Sequence, residues 1–345
     1  MTKSATRETA DIAGVVGRKN AIINGNFDIW QRATSQTADG YGSDDRWINS
    51  RSGSTQVASR QTFALGQTDV PNNPKYYART VVSSVAGAGN LALKFQRIEG
   101  VETFAGTTAT VSFWAKADAN KNIAVEFQQS FGSGGSPSTA VFATPTTVSL
   151  TTSWVKHTVS VAIPSISGKT LGTDGNDSVQ VVIWLDAGSN FNARTNSLGQ
   201  QSGTFEFSQV QMEAGSVATE FEPRSVGEEL ALCQRYFQKN YDEDVFAGAS
   251  VSHNTNQGSW GRANTGIIGF TTHFPVTLRG APTLVVYDKA GNSNKCAVYG
   301  VAAQPVNNFP INVSNVTTTS VMVRAYNVAG GAAGISYMYT VDAEL

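Results

Sequence analysis

Residues 226–240 are the one stretch of this 345-residue chain where apolar side chains recur at helical spacing; elsewhere the pattern is strands and turns. Val226, Leu230, Cys233 and Phe237 fall at i, i+4, i+7 and i+11. That repeat, about 3.5 residues, keeps one apolar seam facing a partner helix. Glu228 and Glu229 lie in the first turn and Lys239 in the last, as the helix dipole prefers. A short seam-bearing helix between two β regions reads as a self-associating connector. The chain is therefore expected to be an assembled structural or binding protein rather than a monomeric enzyme.

The length sets a prior of two or three domains. Only 15% of residues are charged and the formal net charge is −1, so bulk electrostatics attract neither nucleic acid nor an anionic membrane. The 33 glycines, with plentiful Thr, Ser, Val and Asn, suit many short strands joined by tight turns. The two cysteines, Cys233 and Cys296, read as buried small hydrophobes, and no disulfide scaffold is implied. The polar first ten residues lack the apolar core of a secretory signal, and no run of about 18 apolar residues predicts a membrane span.

Residues 1–19 are polar, then small, and read as a tail that orders only on docking. Strand patterns then recur. Leu91, Leu93 and Phe95 alternate on one face, as do Val111, Phe113 and Ala115, then Ile123, Val125 and Phe127, then Val155, His157, Val159 and Val161. Residues 179–185 are nearly all apolar and predict a strand covered on both faces. The offset between Phe207 and Val210 predicts a β-bulge. About eight antiparallel strands here suggest a sandwich or jelly roll. Beyond the helix, six strands are expected at 266–274, 283–287, 295–299, 309–313, 320–326 and 335–341. The fold class is all-β: a jelly-roll or β-sandwich domain (20–224), a helical connector (225–244) and a second, small β-sandwich (245–345).

Asn24-Gly-Asn-Phe-Asp28 and the closing run from Phe205 to Glu222-Pro-Arg224 resemble the first and last strands of carbohydrate-binding jelly-roll modules. Val111-Ser-Phe-Trp-Ala-Lys-Ala117 and Leu150-Thr-Thr-Ser-Trp154 resemble their middle strands. With Asp45-Arg-Trp47, Cys233-Gln-Arg-Tyr236 and the ending Tyr339-Thr-Val-Asp-Ala-Glu-Leu345, the pattern resembles phage and prophage tail-fibre and virion appendage proteins. The resemblance implies a homotrimer, docking to other virion proteins through residues 1–19, and contact with host surface glycan. It also implies a structural calcium, for which Asp28 fills one ligand position. Ser208 and Gln209 stand where such modules carry an Asp, so the site is incomplete and no cofactor is expected.

The three histidines lie far apart and show no metal spacing. No phosphate loop, nucleophile elbow or dinucleotide fingerprint is present. The carboxylate pairs Asp44/Asp45, Asp174/Asp177 and Asp242/Asp244 all read as solvated turns rather than a glycosidase pair. Of the six tryptophans, Trp114, Trp154 and Trp184 read as core, and Trp30 and Trp47 as clamps on the first long loop. Trp260 is different. It sits in a polar loop with Asn256 and Arg262, and an exposed ring with such neighbours suits sugar stacking. Two readings stay open: attachment to a host glycan through this distal loop, with Trp260, Arg262 and Asn256 as contacts, or a purely architectural virion part. A polysaccharide depolymerase is a third, and the chain lacks the repeats of a long β-helix.

Overall fold

The computed structural model describes residues 18–252, 256–258, 267–299, 306–326 and 334–345. The chain forms two compact units, one running to Glu229 with Leu345 added, the other Leu230–Glu344. Both are built from antiparallel strands, so the fold is all-β as the alternation patterns require.

The first unit pairs its strands into two sheets. One follows the spatial order β1 (Ser35–Gln36), β3 (Thr55–Thr62), β4 (Tyr76–Ser83), β12 (Gly203–Ala214), β6 (Thr108–Ala117), β10 (Val155–Ala162). The other runs β2 (Trp47–Ser52), β5 (Leu91–Glu99), β11 (Ser178–Ala187), β7 (Lys121–Ser130), with β8 (Val141–Phe142) and β9 (Thr146–Leu150) both paired to β7. Phe113, Phe205, Phe207 and Met212 of the first sheet share one buried cluster with Val125, Phe127, Val181 and Ile183 of the second. This is a two-sheet sandwich, and each fully buried large side chain contributes roughly 1.5–3 kcal/mol.

The expected bulge is present: pairing of β12 to β6 shifts register between Ser208 and Gln211, and Gln209 takes φ 50°. All ten residues of β11 are buried, because its second face packs a smaller cluster of Leu93, Ala124, Val182, Trp184 and Ala187. Leu91, Leu93 and Phe95 of β5 belong to that outer cluster. The face of β5 toward the sandwich interior carries Ala92, Lys94, Gln96 and Ile98 instead. Lys94 is fully buried and ion-paired with Asp44, and it donates to Asn49 Oδ1 at 3.0 Å. Burial pushes its ammonium below the ordinary lysine range, against the opposing pull of Asp44. Asp45 is also buried and accepts from the Gln31 backbone N–H at 2.9 Å. The Asp44/Asp45 pair is thus internal, not the solvated turn the sequence suggests.

The opening segment is a buried arch rather than a first strand. Asn24 and Phe27 have positive φ, 56° and 57°. Asn24 Nδ2 donates to Ile29 O (2.9 Å) and Asp45 O (3.0 Å), and Trp47 Nε1 donates to Asn24 O (3.2 Å). Val210 N donates to Gly25 O at 2.8 Å, and a Cβ on Gly25 would collide with the Val210 carbonyl. Glycine is required there by close approach.

A one-turn helix, α1 (Asn192–Thr195), lies between β11 and β12; the principal helix, α2, is Val226–Gln234. It is nine residues long, shorter than the seam implied. Glu229 in its first turn accepts the Asn24 N–H (2.5 Å) and pairs with Arg224 (3.2 Å). Val226 is exposed and Leu230 part-buried, but Cys233 and Phe237 are buried within the chain. Phe237 stands in a strand, β13 (Phe237–Lys239), opposite Asp342. The apolar seam is therefore broken, because half of it is used for internal packing.

The second unit is a single eight-stranded sheet among the described residues. Five of the six strands expected there appear within a residue or two at each end: β15 (Ile267–His273), β16 (Thr283–Tyr287), β17 (Lys295–Tyr299), β19 (Ser320–Tyr326) and β20 (Gly334–Asp342); β18 (Val306–Ser314) begins three residues early. The sequence missed β13 and β14 (Asn256–Gly258), both of which pair with β20. One half of β20 lies against β14 and β17, the other against β13 and β16. Its own core includes Ile268, Val298, Val323, Tyr337 and Val341.

Candidate functional site

The two outer faces of the first unit's sandwich differ. The face outside β5, β11 and β7 is sealed by the chain between β11 and β12. Phe191 and Leu198 pack on Trp184 and its neighbours. Arg194 forks onto Glu126 (2.9 and 2.7 Å) and stacks over Phe142 at 4.1 Å and Trp184 at 5.0 Å. A bidentate guanidinium on a fully buried carboxylate is a firm clasp.

The face outside β3, β4, β12, β6 and β10 is open at its centre. Antiparallel partners point to the same side of a sheet, so the register identifies the outward rows. Arg79, Glu206 and Lys116 form one row, and Ser208, Trp114 and Lys156 the next. The residues between them, Phe205, Phe207, Phe113, Ala115 and Ala78, point inward and are buried. Toward one end of the face, the chain after β12 folds over: Thr110 Oγ1 donates to Gly215 O (2.7 Å) and Thr219 N to Glu213 (2.8 Å). On another side Gln209 Nε2 reaches Pro71 O (2.6 Å) in the loop after β3.

Between these coverings three rings converge. Phe63 lies 4.6 Å from Tyr77 and 5.3 Å from Trp154, and Tyr77 lies 5.3 Å from Trp154, edge to face. All three are part-buried, as is Trp114. Lys116 Nζ stands 5.4 Å above the Trp154 ring, within cation–π range. Glu206 sits beneath, its side chain 5% exposed, with Arg79 at 2.5 Å and Lys116 at 3.0 Å. Its two oxygens face Arg79 and Lys116, so it positions both cations. The assembly offers ring faces, guanidinium and ammonium donors and a compensated charge. These are the groups that stacking and hydrogen bonding to a hydroxyl-rich ring would require.

The sequence missed this cluster. Trp114 and Trp154 were expected in the core, but they stand on the outward rows; only Trp184 of that group is buried, with Trp30 and Trp47. The signal was the strict alternation itself: Trp114 and Lys116 interleave with inward Phe113, Ala115 and Ala117. Tyr77 lies in β4 and Phe63 just past the end of β3, and neither belonged to an alternation read from the sequence.

Of the sugar-contact residues expected in the distal loop, Trp260 and Arg262 lie outside the described residues. Asn256 falls in β14, and its side chain lies outside them too. Asp28 accepts a hydrogen bond from Asn26 Nδ2 (2.9 Å), and burial raises its carboxyl above the usual range, with Glu229 adding to the effect. No group of three or more His, Cys, Asp or Glu side chains that could hold a metal ion occurs among the described residues. Asp174 and Asp177 are tied into loops through Ser133 Oγ (2.8 Å) and the Val101 N–H (2.8 Å).

No protein-family model and no curated protein matches the chain. Similar solved structures include a sugar-binding protein of Bacteroides thetaiotaomicron so described on a putative basis (15% identity, 57% of this chain and 100% of that one, TM-score 0.37). A family 11 carbohydrate-binding module from Clostridium thermocellum in complex with a mixed-linked tetrasaccharide is another (9%, 54% and 99%, TM-score 0.31). The enzymatically active domain of tailspike protein 4 of bacteriophage CBA120 is a third (12%, 57% of this chain but 21% of that one, TM-score 0.32). Likenesses this distant leave the chemistry of the chain to its own residues.

Proposed function

We propose that this protein is a non-catalytic carbohydrate-binding protein, and that the open sheet face of its first unit holds the glycan. The observation that carries the reading is the part-exposed triangle of Phe63, Tyr77 and Trp154, with Lys116 above the indole and Glu206 bracing Lys116 and Arg79. Aromatic anchors beside fixed polar groups are the usual means of binding a polar ring in water. Glycan-array screening of the whole protein, followed by calorimetry on the best ligand, tests it. Trp154→Ala should weaken binding about thirtyfold, as loss of roughly 2 kcal/mol from an aromatic anchor implies, without lowering the melting temperature. Undiminished binding by a Tyr77→Ala/Trp154→Ala double variant would overturn the assignment.

The setting we infer rests on the motif resemblance: a virion appendage that attaches a phage-like particle to a host surface, docked through residues 1–19 and assembled as a homotrimer. The test is whether protein lacking residues 1–18 still incorporates into particles. The architectural reading predicts that no host glycan binds the intact protein.

A further inference from the structure

A second polar recess lies in the first unit, around the strand ends from the open face. It is a cleft of about 430 Å³ lined by Asn120, Asn122, Ser149, Thr151 and Gln201, with Leu150 and Leu198 as its apolar walls. Gln201 and Asn122 are held in place. Gln201 Nε2 donates to Leu185 O (2.9 Å) and Asn122 O (2.5 Å), and Ser149 Oγ donates to Asn122 Oδ1 (2.8 Å). Lys121, also at its edge, donates to Ser202 O at 2.7 Å, so its ammonium is anchored to backbone. The recess thus presents Gln201 Oε1 and Ser149 Oγ as oriented acceptors and Asn122 Nδ2 as a donor, a set that matches sugar hydroxyls.

Its position is the informative part. Three segments run from the aromatic face directly to the cleft. One carries Lys116, then Asn120 and Asn122; the second carries Thr151, then Trp154; the third carries Gln201, then Glu206. They are cross-tied where they leave the face, Ala117 N to Thr151 O (2.8 Å) and Asp118 N to Thr204 O (3.0 Å). Three residues of extended chain span at most about 11 Å, so Thr151 and Trp154 lie within a few sugar units of each other. One linear molecule can touch both.

We propose that the cleft is a second sugar subsite, filled by the outer units of a neutral glycan chain whose other units lie on the aromatic face. This rests on the carbohydrate-binding reading of that face and adds to it that the ligand is an extended oligosaccharide, not a terminal sugar alone. The cleft should add about tenfold in affinity, the worth of one or two hydrogen bonds that are not offset elsewhere.

The test uses the full chain and a ladder of neutral linear oligosaccharides from disaccharide to hexasaccharide, in β-1,4-glucosyl, β-1,4-N-acetylglucosaminyl and α-1,4-glucosyl series, by calorimetry. Ser149 is an exposed residue of β9, and Ser149→Phe fills the cleft from a strand position that favours aromatic side chains. Wild type should gain about tenfold between the short and long members of the series it prefers. Ser149→Phe should lose that gain and keep its disaccharide affinity, and Asn120→Ala, at an exposed turn, should lose part of it. Trp154→Ala should weaken every length. If the hexasaccharide binds Ser149→Phe as it binds wild type while Trp154→Ala is impaired, the subsite is refuted and the aromatic face stands. If no member of the ladder binds wild type while the array yields another glycan, the neutral-chain subsite falls and the aromatic face stands; if neither yields a ligand, both fall. If Ser149→Phe weakens the disaccharide and Trp154→Ala does not, the cleft is the primary site and the shared-chain proposal is wrong.

Discussion

Lys94 is a fully buried cation on the inward side of β5, 5.9 Å from the Phe27 ring centre and 5.7 Å from that of Trp47. Removing one partner of a buried pair leaves the other charge stranded, which costs about 3–5 kcal/mol. Lys94→Met should therefore destabilise the first unit by about that much in urea titrations, while Lys94→Met/Asp44→Asn should recover most of it. Equal stability of the single and double variants would show that Asp44 does not need a cation. His157 gives a second residue-scale test. It points inward on β10, 5.7 Å from the Phe113 ring centre, and its Nε2 is buried without a hydrogen-bond partner. Burial lowers its pKa, so the fold prefers the neutral ring. The unfolded chain binds the proton more readily. Stability from neutral His157 is therefore complete above the unfolded pKa of about 6.5 and is lost as pH falls through the lower folded value. Thermal melts should show a steeper loss on acidification for wild type than for His157→Phe. An identical pH profile for the two would count against it.

At the scale of elements, three of the sequence motifs, 24–28, 45–47 and 222–224, form one internal fastening with the helix. The arch at Asn24, the strand entry at Asp45 and Trp47, and the helix at Glu229 are bonded together, with Arg224 donating to Ile22 O (2.9 Å) and pairing with Glu229. These residues hold strands in place. The helix itself has given up half of its seam. Phe237→Ala should destabilise the second unit by about 3–5 kcal/mol, as for a core phenylalanine, whereas Val226→Asp should leave stability unchanged. If the helix supports a homotrimer, it does so through Val226 and Leu230, and Leu230→Asp should reduce the mass seen by light scattering. An unchanged mass would place any assembly interface elsewhere.

For the molecule as a whole, the two units have separate cores, and the chain labels them unequally. Five tryptophans, Trp30, Trp47, Trp114, Trp154 and Trp184, belong to the first unit, and both cysteines belong to the second. Cys233 and Cys296 are buried thiols, and burial pushes the Cys296 thiol up to about 12, with Asp288 adding to the shift. Native protein should react slowly with thiol reagents. Val323→Asp, made in a Trp260→Phe background so that every remaining tryptophan belongs to the first unit, places a charge in the second core and should make both thiols reactive while tryptophan emission keeps its native wavelength. A red shift of that emission in the variant would mean that the units unfold together.

What the sequence determined by itself is whatever depends on neighbours along the chain. Alternation marked β6 and β7, a nearly unbroken apolar run marked β11, the skipped residue before Val210 marked a bulge, and five of the second unit's strands were legible almost to the residue. The all-β class follows from these. Tertiary structure decided which side of a strand is inside. A period of two separates faces but does not rank them when both carry large side chains, as in β6, where Phe113 went in and Trp114 stayed out. It also turned Leu91, Leu93 and Phe95 outward to meet Phe191, and buried Lys94 in their place, because a partner such as Asp44, 50 residues away, made the charge tolerable. The candidate glycan face was hidden for the same reason. Its central ion pair joins Arg79 to Glu206 across 127 residues, and no local pattern records that they meet.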